Sequence, residues 1–442
     1  LHSFPTRRSS DLHTGYVKAI VGGRGEKTAS LTLNRATDTT RQPGSTFKVV
    51  STYAPALNEK GMTLATTFED EPYNYPDGSP VENASRTYGG TTTIRRAIQN
   101  SINVVAVKCL EEVTPELGLQ YLDNFGFTTL AHGTEADTDA NGTVWTDANL
   151  PLALGGLTHG VTNVELCAAY AAIANQGNYI EPLYYTKILD HNGNVLIEKT
   201  SAERSVIKES TAWLLTSAME DVVKSGTGTA CQLDNMTVAG KTGTTDDYND
   251  LWFVGYTPYY TCAVWSGFDN NEKLPDDYSR DFHKDMWRKV MTRIHEGLED
   301  KDFEMPSTVE KISVCADTGL LPRSGCSVIT EFFDVGDVPT DYCEEHFYEP
   351  EPVIPEYTYD ETIIPEPSLT PENPDENGDQ GDGNTDNGDA GGEGNGGDDT
   401  GSGDTGGGDT GDGDTGGGDV GGGDTDGGDT GGGDAGGGEI IE

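Results

Sequence analysis

The chain has 442 residues and a formal net charge of −47. Residues 1–350 hold 49 acidic and all 28 basic side chains, whereas residues 351–442 hold 26 acidic side chains and no Lys or Arg. That excess excludes a phosphate-backbone binder, because affinity for nucleic acid rests on basic side chains; it also divides the chain into a front part with enough apolar residues for a large core and a back part that cannot offset its chain entropy.

Residues 1–12 are polar, broken by Pro5, and do not lead naturally into the strand pattern that begins at residue 15. They are expected to be foreign to the domain or unstructured, with the natural N-terminal segment missing. No stretch reads as a transmembrane helix or a signal peptide. Residues 15–22 alternate like a strand and end in glycines, and residues 31–35 read as a weaker second strand. After Pro43-Gly44 an apolar, helical pattern runs over residues 45–57, which puts Ser45 at a helix N-terminus. Thr91-Thr92-Thr93 precedes a helix ending near Asn100-Ser101, and another helix runs from about residue 102 to 112. A loop at 151–156 leads to an Ala-rich buried helix from about Asn163. An amphipathic helix at 210–224 precedes Gly226-Thr227-Gly228-Thr229. Residues 236–244, 251–256 and 261–267 read as three successive antiparallel strands, and 281–298 as a helix that closes the sheet's back face. From Pro350 a Pro/Glu linker leads into Gly/Asp/Thr repeats, a flexible and self-repelling tail.

The seven cysteines split into two groups. Cys109, Cys167, Cys231 and Cys262 lie singly in apolar segments and read as small core residues. Cys315, Cys326 and Cys343 cluster with His346 nearby. Zinc is one reading, but the spacings match no familiar ligand pattern. One disulfide with a thiol left over is the favoured expectation for an extracytoplasmic protein, with three free thiols as the remaining alternative. No metal or other cofactor is therefore assigned.

Three short motifs occur in one order: Ser45-Thr46-Phe47-Lys48, Ser101-Ile102-Asn103 and Lys241-Thr242-Gly243. A serine hydroxyl is a poor nucleophile without a base beside it. One helical turn places Lys48 on the face of Ser45, with Cβ atoms about 5–6 Å apart. Lys48 can act as that base only if burial or a neighbouring cation lowers its pKa. Lys241 on an adjoining strand is the expected cation, and Ser101 the relay between them. Each motif alone is weak: Ser205-Val206-Ile207-Lys208 repeats the first, but without Pro-Gly before it or an apolar helix after it, and reads as a solvated face. Ser45 alone could be an ordinary helix cap and Lys241 an ordinary edge-strand lysine. Neither reading explains the ordered set.

With these motifs the chain resembles the transpeptidase domain of class A, bifunctional penicillin-binding proteins, N-terminally truncated. Arg41-Gln42-Pro43-Gly44 before Ser45, the segment 153–160 with 168–177, Gly226 to Ala230, and Asp250 to Pro258 carry the likeness, which covers roughly residues 13–298. It implies an α/β fold of α+β type, shared with serine β-lactamases, with an antiparallel sheet between helical layers. It further implies a domain at 13–300, a Cys-containing extension at 301–349, and the linker and disordered tail at 350–442. By the same resemblance the chain is a D,D-transpeptidase of the bacterial cell wall, outside the cytoplasmic membrane. Ser45, Lys48, Ser101 and Lys241 would be catalytic; Asn103, Thr242, Gly243 and Thr244 would hold substrate; the backbone N–H groups of Ser45 and Thr244 would hold the oxyanion. Peptidoglycan stem peptides would be the substrates and β-lactams the inhibitors, with no nucleic acid partner and membrane anchoring only through the missing N-terminal segment. The alternatives are a D-alanyl-D-alanine carboxypeptidase, a β-lactamase or, from another class, a non-catalytic β-lactam sensor.

Overall fold

The computed structural model describes residues 6–11 as backbone and residues 13–27, 29–245 and 248–346 in full. The chain's centre is a five-stranded, fully antiparallel sheet built from β1 (Thr6–Asp11), β2 (Val17–Val21), β3 (Ala239–Thr244), β4 (Asp250–Tyr256) and β5 (Tyr260–Gly267), in the spatial order β3-β4-β5-β1-β2. Two sequence expectations are corrected here. Residues 6–11 are not unstructured: they pair with β5 on one side and β2 on the other. Ladder hydrogen bonds are made by the backbone, so a polar segment can fill a strand position that its side-chain pattern does not announce. Residues 31–35 are turn and irregular chain rather than a strand, with Leu31 fully exposed. An apolar alternation without a neighbouring strand has no ladder to join.

Alternation along the central strands sorts their side chains. Trp252, Val254 and Tyr256 of β4 face one core, while Phe253 faces a second with Val264 of β5. On the first face lie α1 (Ala54–Glu59), α2 (Ile94–Asn100), α3 (Asn103–Val113), α4 (Pro115–Asn124), α5 (Asn163–Ala174) and α6 (Glu209–Ser225), with α6 against β3 and α5 against β4 and β5. On the second face lies α7 (Phe282–Ile294), whose fully buried Trp287 meets Phe253 edge-on with ring centroids 5.0 Å apart. The sheet thus sits between helical layers, and Cys109, Cys167, Cys231 and Cys262 are all buried, as expected from their apolar surroundings.

Local chemistry fixes the elements that matter for the site. Thr93 caps α2 by accepting from the Arg96 N–H at 3.2 Å, and Thr162 with Glu165 forms a reciprocal capping box at the start of α5. After α7 comes a hairpin, β6 (Val309–Cys315) and β7 (Val328–Asp334), paired antiparallel along its whole length. It is locked to the helical layer by Arg95 of α2, which binds Glu331 through two hydrogen bonds of 2.6 and 2.7 Å and Asp221 of α6 at 2.7 Å. The described residues all belong to one compact unit. The linker and acidic tail at 350–442 lie outside the described residues. Among the described residues no helix is long and apolar enough to cross a membrane.

Candidate active site

Pro43-Gly44 turns the chain so sharply that the first helix begins as a 3-10 turn over Gly44–Thr46 and widens to a π-type turn over Lys48–Tyr53 before α1. The sequence suggests an ordinary helix from Ser45; the wide turn is the departure, and such turns favour functional sites. Gly44 has φ +56°, and a Cβ there would lie 2.8 Å from the Thr244 carbonyl oxygen and 3.1 Å from its nitrogen. A Cβ on Gly243 would lie 2.5 Å from the Pro43 carbonyl oxygen. Only two glycines let the Ser45 turn press its backbone onto the end of β3. Trp252 Nε1 donates to the Gln42 carbonyl at 2.9 Å, and Tyr170 Oη donates to the Thr46 carbonyl at 2.7 Å, so both ends of the turn are pinned.

The three motifs meet here. Lys48, fully buried, donates from Nζ to the Ser101 carbonyl at 2.7 Å and to Asn103 Oδ1 at 2.6 Å, with Ser101 Oγ at 3.4 Å. Lys241, also fully buried, donates to Ser101 Oγ at 2.8 Å and to the Thr242 carbonyl at 3.1 Å. One hydroxyl therefore stands between two buried amines. Burial lowers both: it takes Lys241 down to about 7, and takes Lys48 well below its ordinary value, helped by the nearby Lys241 charge. A neutral Lys48 has two N–H groups, which the two short contacts use, leaving its lone pair unengaged by them.

Ser101 makes this arrangement through an uncommon backbone. It ends α2 in the left-handed region, at φ 58° and ψ 43°, a conformation that costs a serine about 1–2 kcal/mol. That turn brings its carbonyl and its hydroxyl to the two lysines. Asn83 supports the next step: its Oδ1 accepts the N–H groups of Asn103 at 2.9 Å and Val104 at 3.2 Å, capping α3 from a distance. Asn83 is oriented in turn by Asp70 Oδ1 at 2.7 Å. Asn103 Nδ2 donates to the Glu82 carbonyl at 2.6 Å, so its side chain bridges Lys48 to the loop beside it.

Strand alternation gives Lys241 and Gly243 the face toward the helical layer and Thr242 and Thr244 the other parity. Thr242 Oγ1 shares a 2.7 Å hydrogen bond with Thr227 Oγ1, and Thr244 is exposed. Asn83, Asp70 and Thr227 were not singled out as site residues from sequence; Thr227 alone carried a signal, the glycines on both sides. The second Ser-x-x-Lys copy plays no part: Ser205 and Lys208 are exposed. A cavity of about 220 Å³ lined by Asn83, Tyr88, Arg96, Asn100 and Ser101 opens next to the Ser101 turn.

Comparison with known proteins covers the part of the chain that holds these residues. Residues 10–292 match the penicillin binding protein transpeptidase domain. The chain belongs to that family. Residues 305–348 match a second family, the penicillin-binding protein 1A C-terminal domain. Penicillin-binding protein 1A of Clostridium botulinum is 34% identical over 354 residues, covering 76% of this chain and 41% of the relative. Penicillin-binding protein 1F of Bacillus subtilis is 37% identical over 309 residues, covering 67% of this chain and 40% of the relative. The chain thus spans about two fifths of the length of these curated relatives. Among solved structures, penicillin-binding protein 1A of Haemophilus influenzae shares the fold with a TM-score of 0.64 at 23% identity, over 77% of this chain and 54% of that one. The PonA1 protein of Mycobacterium tuberculosis, solved in complex with penicillin V, is similar with a TM-score of 0.59 at 25% identity, over 69% of this chain and 81% of that one. The α+β architecture expected for a penicillin-binding transpeptidase is the one observed.

Proposed function

We propose that this chain is a serine D,D-transpeptidase that cross-links peptidoglycan stem peptides outside the cytoplasmic membrane. The observation that carries the reading is the Ser101 hydroxyl held between two buried lysines beside the Ser45 turn. Ser45 Oγ attacks the carbonyl of the penultimate D-alanine, and neutral Lys48 takes its proton. The oxyanion forms between the N–H groups of Ser45 and Thr244. As an early residue of its turn, Ser45 has an N–H without an intrahelical acceptor, and the Thr244 nitrogen lies against Gly44. Collapse breaks the peptide bond, and the proton passes from Lys48 through Ser101 to the departing D-alanine amine. Lys241 keeps the positive charge that holds Lys48 neutral. An amine from a second stem peptide then attacks the ester and loses its proton along the same relay, which forms the cross-link and frees Ser45. Asn103 binds the substrate amide while steadying Lys48, Thr242 and Thr244 bind the terminal carboxylate, and Gly243 keeps their strand against the turn. A β-lactam enters as a D-Ala-D-Ala mimic and stays as the acyl-enzyme.

The test uses a peptide ending in D-Ala-D-Ala with an added amine acceptor, followed by mass spectrometry. Transpeptidation gives the amine adduct together with free D-alanine. Hydrolysed peptide alone would instead mark a carboxypeptidase, and rapid turnover of penicillin a β-lactamase.

A further inference from the structure

Away from the Ser45 site, the loops at one end of the β6–β7 hairpin gather four side chains that the transpeptidase reading does not use. Cys315 closes β6, Cys326 precedes β7, and Cys343 and His346 lie beyond it. The ligand atoms of all four lie within 4.8 Å of one another. His346 Nδ1 is 3.4 Å from Cys315 Sγ and 3.3 Å from Cys343 Sγ. On the imidazole's far side Nε2 lies 3.4 Å from Asp317 Oδ2. A carboxylate at Nε2 is the usual second partner of a metal-bound histidine, and it leaves Nδ1 as the ring atom that faces the sulfurs. The Arg323 N–H lies 3.3 Å from Cys326 Sγ, a backbone donor of the kind that supports a metal-bound sulfur.

We propose that Cys315, Cys326, Cys343 and His346 bind one zinc ion in a closed, structural S3N site. The favoured expectation from sequence, a disulfide, uses two sulfurs and gives the imidazole no task; the observed cluster turns all four donors inward. With Zn–S near 2.3 Å and Zn–N near 2.05 Å, neighbouring S and N atoms of a tetrahedral site stand about 3.6 Å apart. The two S–N separations are already close to that. Three thiolates and an imidazole are a soft donor set suited to zinc, and no open position remains for a substrate. The three thiols lose their protons to solvent as the metal enters. The need for such a clip is visible in the packing. The hairpin's own core is small, formed by Val314 and Phe333 against Ala65 with Ile312, Ile329 and Val338 at its margin. Modules of this size are commonly completed by a metal or by disulfides.

The experiment uses the full chain with a histidine-free purification tag, prepared without chelator. Elemental analysis should give about one zinc per chain, and Cys343→Ser and His346→Ala should each bring it close to zero. Cobalt(II) added to chelator-stripped chain should give the absorption bands of tetrahedral thiolate-bound cobalt, absent from both variants. Labelling with fluorescent penicillin should persist in both, which separates loss of the metal from loss of the fold. Zinc-free protein in which two of the three thiols resist alkylation until reduced would overturn the proposal in favour of a disulfide. Zinc content unchanged by Cys343→Ser would overturn it as well.

Discussion

Replacing Lys48 by methionine removes the proposed base while keeping an unbranched, apolar side chain of similar length. The magnitudes of its two effects differ enough to be told apart. Fully buried Lys48 satisfies the Ser101 carbonyl at 2.7 Å and Asn103 Oδ1 at 2.6 Å. Losing one partner costs a buried acceptor about 1–3 kcal/mol, but removing the amine also relieves the cost of burying it. The net change in folding stability should be about 2 kcal/mol or less, a shift of several degrees in Tm. Acylation loses proton transfer altogether, a factor of about 10²–10⁴ for a positioned base, or roughly 3–5 kcal/mol in the barrier. Stopped-flow fluorescence with a fluorescent penicillin gives the acylation rate, and calorimetry gives Tm. A Lys48→Met variant that acylates within tenfold of the parent would refute the role assigned to Lys48. One that fails to fold would refute the stability reasoning.

Acylation requires Lys48 neutral and Lys241 charged, so the coupled pair should give a bell-shaped pH profile. Burial lowers Lys241 to about 7, so the alkaline limb should begin near that pH. Lys241→Arg keeps its charge and should move the alkaline limb upward while sparing the acid limb; an unmoved limb would mean the charge on Lys241 is not used. The same shift makes a stability prediction. Between about 7 and the ordinary lysine value of 10.5 the unfolded chain binds the proton that folded Lys241 has released, so Lys241's contribution to stability should rise with pH through that window. Denaturant melts across it, compared with the Lys241→Met variant, check the sign. Arg95→Met leaves Glu331, only 3% exposed, without its cation, which should cost about 3–5 kcal/mol and lower Tm by roughly 5–15 °C. Adding Glu331→Gln should restore part of the loss, and a shift below about 2 °C would show that the hairpin is not anchored there.

Much of the architecture was legible because its signals are local. The Thr91-Thr92-Thr93 run before an apolar stretch marks the start of α2, and the glycines around Ser45 and Lys241 mark where backbone must approach backbone. The ordered motifs singled out Ser45, Lys48, Ser101, Asn103 and Lys241 as candidates, and the fold brings the last four into one hydrogen-bonded group next to the Ser45 turn. What stayed hidden is what depends on distant partners. No local pattern says that Ser101 takes a left-handed conformation, because Lys48 and Lys241 give that strain its use. Asn83 acts as the cap of α3 across a gap of twenty residues, beyond any capping signature. Residues 6–11 join the sheet through backbone pairing, which polar side chains do not advertise. The sulfur cluster was legible only as a group of residues: its donors are spaced by a hairpin, which matches no familiar ligand pattern, so only the folded β6–β7 pair shows Cys315, Cys326, Cys343 and His346 converging.

The central claim is that Ser45 is the nucleophile of this fold. Incubating the chain with a fluorescent penicillin, digesting it and mapping the adduct by tandem mass spectrometry tests this directly. The account predicts a single covalent adduct on Ser45, absent from the Ser45→Ala variant. An adduct on Ser101 or Ser205, or labelling that survives Ser45→Ala, would contradict it.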